Sequence, residues 1–275
     1  VRRFCLTVVR GFYYAPNVKI NGRILGIRTV SRKIKVMTKI SIIMPVYRQR
    51  RDWLFTALES LVTQDYPDKE IIVSGIAGDP TLAWVKTFEG VKIVESRVPD
   101  PKRQINEGIK FASGDLIIQS GSDDLMLPKT LTHMVKTYED NHAVFVYGDL
   151  EYCDEDMNMM YVNKSPNPFD FHLLRERQIM TDCSLVSKRV LWEFGMFDVS
   201  LGKFAVWDMW LKIAEKYPDK IFHCGHVIWK YRRHDNALGR TGHGEEFRQR
   251  FYDKWQIDFR YRTMPPSYNA ILVNE

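Results

Sequence analysis

Two adjacent acids, Asp123 and Asp124, follow the apolar run Leu116-Ile117-Ile118-Gln119 after only three small residues, Ser120-Gly121-Ser122. Side by side, two carboxylates repel one another unless a cation or a hydrogen-bond donor lies between them. Their hard oxygens suit Mn2+ or Mg2+, ions that take one or two protein carboxylates and complete their shell with phosphate and water. Such an ion neutralises a diphosphate and stabilises it as a leaving group. The competing reading is a solvated acidic turn or a helix N-cap. Placement straight after a buried strand favours chemistry. A second cluster, His223, Cys224 and His226, has metal-binding residue types but no CxxC partner pair, and it continues a strand-like run.

The elements that must position these acids alternate. Lys39–Val46 reads as a buried strand, residues 51–63 as a helix, Glu70–Val73 as a strand and residues 80–88 as a short helix. Val91–Val94, a helix over 102–112, the strand Asp115–Gln119, a helix from about Pro128 and the strand Val144–Tyr147 continue the pattern. Alternation of this kind predicts an α/β fold: a Rossmann-like, mostly parallel sheet flanked by helices. Ligands of such sheets bind beyond the carboxyl ends of the strands. Pro45-Val46-Tyr47, Ser74-Gly75 and Ser122-Asp123-Asp124 all fall there. Beyond residue 150 the pattern loosens. Residues 184–194 and 206–216 read as helices, 221–223 and 227–231 as strands, and 245–262 as an aromatic-rich helix. The aromatics of that last helix, Phe247, Phe251, Tyr252, Trp255, Phe259 and Tyr261, read as a buried stripe before an acceptor groove.

Charge is unevenly placed. The 275 residues carry a net charge of +6, yet residues 1–38 hold nine Lys or Arg and no acid. The rest is slightly acidic, which disfavours a nucleic-acid-binding domain. Within the basic N-terminal arm, residues 1–12 have the spacing of an amphipathic helix, so peripheral contact with an anionic membrane surface competes with docking on the protein itself. Lys19-Ile20-Asn21-Gly22-Arg23-Ile24 predicts a hairpin. The four cysteines show no paired spacing, as expected of a reduced, cytoplasmic protein. No apolar run is long enough to span a membrane.

The chain resembles the family 2 glycosyltransferases of GT-A fold. The resemblance rests on KISIIMPVY (39–47), LVTQDYPDKEIIV (61–73), and Asn106-Glu107-Gly108-Ile109 followed by Ala112-Ser113-Gly114-Asp115. It continues through Ser122-Asp123-Asp124 with Pro128, Tyr147-Gly148-Asp149, Gly195-Met196-Phe197-Asp198, Trp207-Asp208-Met209-Trp210-Leu211 and Tyr231-Arg232-Arg233-His234. It covers about residues 39–240, leaving the arm (1–38) and an aromatic-rich C-terminal helical extension (241–275). The resemblance implies transfer of a sugar from a nucleotide-diphosphate sugar to a hydroxyl of a glycan or lipid-linked acceptor, with inversion and with Mn2+ or Mg2+. By position, Asp123 is the implied metal ligand and His234 its late partner. Pro45, Val46, Tyr47, Ser122 and Asp124 line the implied donor site, and Arg103 reaches the diphosphate.

The chain departs from the family pattern in three places. Gly121 replaces the first acid of the Asp-x-Asp motif. Ser74 and Gly75 stand where an acid reads the nucleotide base. Ala205 and Val206 replace an acidic pair, leaving Asp208 as the nearest candidate general base and Asp198 as its alternative. A non-catalytic nucleotide-sugar or glycan binder of the same fold is the competing function.

Overall fold

Long apolar runs such as Ile40–Val46 are too uniformly hydrophobic to face water on either side, and they need cover on both faces. A computed structural model describes residues 37–235 and 244–257, and four two-residue strands nearer the N-terminus. Contacts divide the chain into Val1–Met37 and Thr38–Glu275. In the first unit Val8–Val9 pairs antiparallel with Phe12–Tyr13, and Lys19–Ile20 with Arg23–Ile24. The second pairing is the expected Asn-Gly hairpin. The first corrects the expected helix over 1–12: β-branched and aromatic residues on either side of Arg10-Gly11 favour paired extended backbone.

In the second unit the first half runs β1 (Ile40–Val46), α1 (Arg51–Val62), β2 (Lys69–Ile76), α2 (Pro80–Val85), β3 (Val91–Ser96), α3 (Pro101–Phe111) and β4 (Leu116–Gln119). Then come β5 (Leu125–Met126), α4 (Thr130–Asp140), β6 (Phe145–Cys153), β7 (Met159–Asn163) and α5 (Phe171–Glu176). The chain continues through β8 (Leu185–Ser187), α6 (Lys188–Glu193), α7 (Ala205–Lys216), β9 (Ile221–Arg232) and α8 (Glu245–Trp255).

The strands form one sheet in the order β3-β2-β1-β4-β8-β6-β9-β5, with β7 on β6. The block β3-β2-β1-β4 is parallel, joined by helical crossovers. Beyond it the sheet is mixed: β8 runs antiparallel to β4 and β6, whereas β6 and β9 are parallel. Residues 185–187, expected to open a helix, instead form β8, because a buried pairing with Ile117 and Ile118 outweighs local helical spacing.

Alternation along the strands fills two cores. Ile43, Ile72, Ile117 and Phe145 face the layer containing α3 and α7, while Ile42, Val73, Ile118 and Val146 face α1 and α4. Pro101 opens α3 and Asp100 caps it, accepting from Arg103 N; Asp79 caps α2 in the same way, accepting from Thr81 N. The α8 stripe packs on α7 as a core element, with Phe251 fully buried and its ring 4.7 Å from that of Trp207. Phe259 and Tyr261 lie outside the described residues. Among the described residues no helix is long and apolar enough to cross a membrane, and Cys153, Cys183 and Cys224 are free thiols.

Away from the site, Glu70 ties three segments together at the amino end of the parallel strands. Its carboxylate accepts from Ser41 Oγ (2.5 Å), Ser113 N (2.6 Å) and Lys92 Nζ (2.6 Å). Burial alone would raise its pKa, but the bonds from Lys92, Ser41 and Ser113 bring it down to about 2. A carboxylate depressed in the fold stabilises it above the unfolded pKa, and that contribution disappears as pH falls through the folded value. Glu70→Gln is expected to cost about 3 kcal/mol at pH 7 in urea unfolding. The gap between parent and variant should narrow steadily below pH 4.5. A gap independent of pH would contradict this role.

Candidate active site

Strand β4 ends at Gln119 and delivers Ser120–Asp124 to the carboxyl mouth of the sheet, beside Pro45-Val46-Tyr47 at the end of β1. The two acids of the turn part company there. Asp124 is buried, and Arg232 N–H at the end of β9 donates to its Oδ1 at 2.9 Å. Burial first, and the neighbouring Asp123 charge second, push its carboxyl well above the usual range. Asp123 instead keeps a quarter of its side chain exposed and meets His234 Nε2 through Oδ2 at 2.9 Å. With the carboxylate as acceptor, Nε2 carries the proton. The two residues are 111 positions apart in the chain.

Several neighbours hold this arrangement, most of them without a local sequence signal. Trp53, in the first turn of α1, meets the His234 ring edge-on at 4.8 Å. The guanidinium groups of Arg50 and Arg232 lie over its ring, 4.1 and 4.6 Å from the centroid. Arg232 Nε also donates to the Asp123 carbonyl (2.8 Å), and Arg232 Nη1 to the Glu155 carbonyl. Arg232 thereby clamps both the backbone and the side chains of the acidic turn. Gln49 Nε2 donates to Ser122 Oγ at 2.8 Å, linking the loop after β1 to the same turn.

The departures from the family pattern now have physical reasons. A Cβ at Gly121 would sit 2.4 Å from Asp124 Oδ2 and 3.1 Å from Asp123 Oδ1, so the folded-back Asp124 carboxylate occupies the space a side chain would need. A Cβ at Gly75 would meet Leu82 at 2.6 Å and Val46 at 2.7 Å. Asp79 nevertheless reaches this mouth, accepting from Arg48 N at 3.1 Å. Tyr47 is exposed and Val46 buried at the same edge, while Pro45 is half-buried. Arg103 is exposed in the first turn of α3.

Ala205 and Val206 are fully buried. Asp208 has no exposed side-chain surface; Lys212 and Lys254 pair with it, both at 2.8 Å, and Trp255 Nε1 donates to it at 2.9 Å. Enclosed and neutralised, this carboxylate braces α7 against α8 and presents no face to an acceptor. Asp198 is likewise engaged, accepting from Ser200 N and Oγ. His223 Nε2 bonds Asp149 Oδ1 at 2.9 Å, and Gly225 N donates to its Nδ1, so both ring nitrogens serve the strand rather than a zinc ion.

Asp123 and His234 fit a divalent ion as a two-ligand set: one hard carboxylate oxygen and one imidazole, both at the mouth. Among the described residues there is no cluster of three or more metal-ligating side chains, so the remaining positions would fall to phosphate and water.

Comparison with known proteins places these features in context. The family model described as Glycosyl transferase family 2 matches residues 41–192. An uncharacterized glycosyltransferase of Bacillus subtilis (strain 168), YwdF, is 27% identical over 86% of this chain and 90% of its own length. The Escherichia coli protein WfgD, named a UDP-Glc:alpha-D-GlcNAc-diphosphoundecaprenol beta-1,3-glucosyltransferase, is 24% identical over 76% of this chain and 83% of its own length. Among solved structures, Staphylococcus aureus TarS 1-349 in complex with UDP-GlcNAc aligns with a TM-score of 0.58 at 15% identity, over 74% of this chain and 61% of that one. A mannosyltransferase from Pyrobaculum calidifontis in complex with GDP-Man and Mn2+ aligns with a TM-score of 0.55 at 18% identity, over 72% and 57% of the two chains. The chain thus spans less than two thirds of both solved structures. They share its fold: a central sheet flanked by helices, of GT-A type.

The Gly121 geometry makes a prediction. Gly121→Ala should force Asp124 off Arg232 N–H and cost about 1–3 kcal/mol, read as a lowered urea midpoint. An unchanged midpoint would show that Asp124 is not held against the turn.

Proposed function

The chain belongs to glycosyl transferase family 2 and is a glycosyltransferase, and from that premise we propose that it transfers a sugar from a nucleotide-diphosphate donor to a hydroxyl of a glycan or lipid-linked acceptor. The observation that carries the proposal is the pair Asp123–His234, set at the mouth of the sheet beside the β1 loop.

Asp123 and His234 would hold Mn2+ or Mg2+. The ion supplies charge neutralisation for the departing diphosphate. Pro45, Val46 and Tyr47 bound the nucleoside side of the cleft, where exposed Tyr47 offers a ring face and Val46 a buried floor. Gln49 and Ser122 fix the edge of that cleft through their mutual hydrogen bond. Arg103, on the first turn of α3, offers a planar donor fork to the diphosphate. Asp124 contributes by holding the turn: its Oδ1 accepts from Arg232 N–H, while Arg232 Nε donates to the Asp123 carbonyl. Direct attack by the acceptor hydroxyl on the anomeric carbon inverts that centre.

Two relatives support this reading of substrate. One is named for a UDP-glucose donor and a diphosphoundecaprenol-linked acceptor, and a structural neighbour was solved with UDP-GlcNAc. The Mn2+ in the mannosyltransferase complex supports the choice of ion.

A thermal-shift panel of UDP-, GDP-, CMP- and dTDP-sugars, with and without Mn2+, tests the proposal. Ligands that bind the native state raise the melting temperature by mass action. At least one nucleotide-diphosphate sugar should raise it only when Mn2+ is present, and Asp123→Asn should abolish that metal-dependent increment. A panel flat under all conditions would contradict the proposal.

A further inference from the structure

A displacement that deprotonates an acceptor hydroxyl needs a carboxylate facing the acceptor side of the cleft. The segment where the family carries acids offers none here: Ala205 and Val206 are apolar and buried, and Asp208 is enclosed between two lysines. Sheet order shows where else to look. Strand β4 lies between β1 and β8, so the Asp123 turn at its end is flanked on one side by Pro45-Val46-Tyr47. Because β8 runs antiparallel to β4, with Leu185 opposite Ile118, the residues just before β8 flank the turn on its other side.

Asp182 occupies that place. Its turn is pinned by Thr181, whose Oγ1 accepts from Cys183 N at 3.1 Å and whose carbonyl accepts from Ser184 Oγ at 2.7 Å. Cys183, next in the chain, is buried. The Asp182 carboxylate is itself oriented: Gln178 Nε2 donates to Oδ1 at 2.8 Å, and Lys102 Nζ, from the α3 turn that carries Arg103, pairs with Oδ2 at 3.1 Å. Yet 46% of its side chain stays exposed. A fixed and open carboxylate next to the acidic turn is what Asp208 fails to provide.

We infer that Asp182 is the general base of the transfer, facing the acceptor across the Asp123 turn from the nucleotide side. This inference rests on the transferase reading above. In the step, the acceptor oxygen attacks the anomeric carbon while its proton passes to an Asp182 oxygen. The bond from that carbon to the diphosphate oxygen breaks, and its electron pair leaves on the nucleoside diphosphate. Lys102 from α3 and Gln178 hold the Asp182 carboxylate in place before attack. Besides Lys102, the titratable groups whose surroundings include it are Tyr231 of β9 and Cys183 of its own turn.

The test uses the full chain with Mn2+ and water as acceptor, following release of UDP from UDP-glucose or UDP-GlcNAc and of GDP from GDP-mannose. Asp182→Asn should lower kcat by about 100-fold or more, leave KM for the donor and the affinity for UDP unchanged, and remove the acid limb of the pH–kcat profile. Asp182→Glu should recover part of the rate together with that limb. If Asp182→Asn turns over like the parent, or loses rate with the acid limb intact, the assignment to Asp182 falls while the transferase reading stands. If the parent itself releases nucleotide from none of the three donors, both fall.

Discussion

Two neighbouring carboxylates at the open end of a sheet cannot both be left charged and unpartnered, and the site is built around separating them. Asp124 is turned inward onto the Arg232 N–H and buried; Asp123 is turned outward onto His234. Everything nearby follows from that division. Gly121 is small because the inward carboxylate lies against it. Arg232 must end β9 at this level, and it does so because β9 runs parallel to β6 with Arg232 opposite Cys153. Trp53 supports the other partner, its ring in contact with two guanidinium groups and with the His234 ring. The inward part of this set, Asp124 with Arg232, is buried, where each bond is worth more and each orphan costs more.

The same sheet order assigns the sides of the cleft. The parallel block presents loops that suit a nucleotide, as open α/β sheets do at the carboxyl ends of their strands. The antiparallel β8 brings a different loop to the other flank of the acidic turn, and that loop carries an exposed, oriented acid. Residues 205–208 have meanwhile become structural. Val206 joins the core, and Asp208 neutralises Lys212 and Lys254 while accepting from Trp255.

The parallel half was legible because its strands are continuous apolar runs and its helices carry one-sided stripes and proline starts. Ile40–Val46 and Arg51–Val62 lie close to where the pattern put them. The mixed half was less so. Leu125–Met126 is too short to show a period, and Leu185–Ser187 has helical spacing that only a long-range pairing overrides. Asp123 was visible as a local motif, but its bond to a histidine 111 residues later came from resemblance, not from periodicity. Nothing local marked Trp53, and the segment holding Arg232 showed resemblance but not its role, since both roles depend on elements distant in sequence. Asp208 looked available because the residues that enclose it, Lys254 and Trp255, lie more than forty positions downstream.

The proposed donor site depends on Asp123 and His234 sharing one divalent ion. Pulsed electron paramagnetic resonance of Mn2+ bound with UDP reads this directly. A nitrogen modulation from one imidazole should be present in the parent and absent in His234→Ala, with the ion still held. No nitrogen modulation in the parent, or the same modulation in the variant, would contradict it.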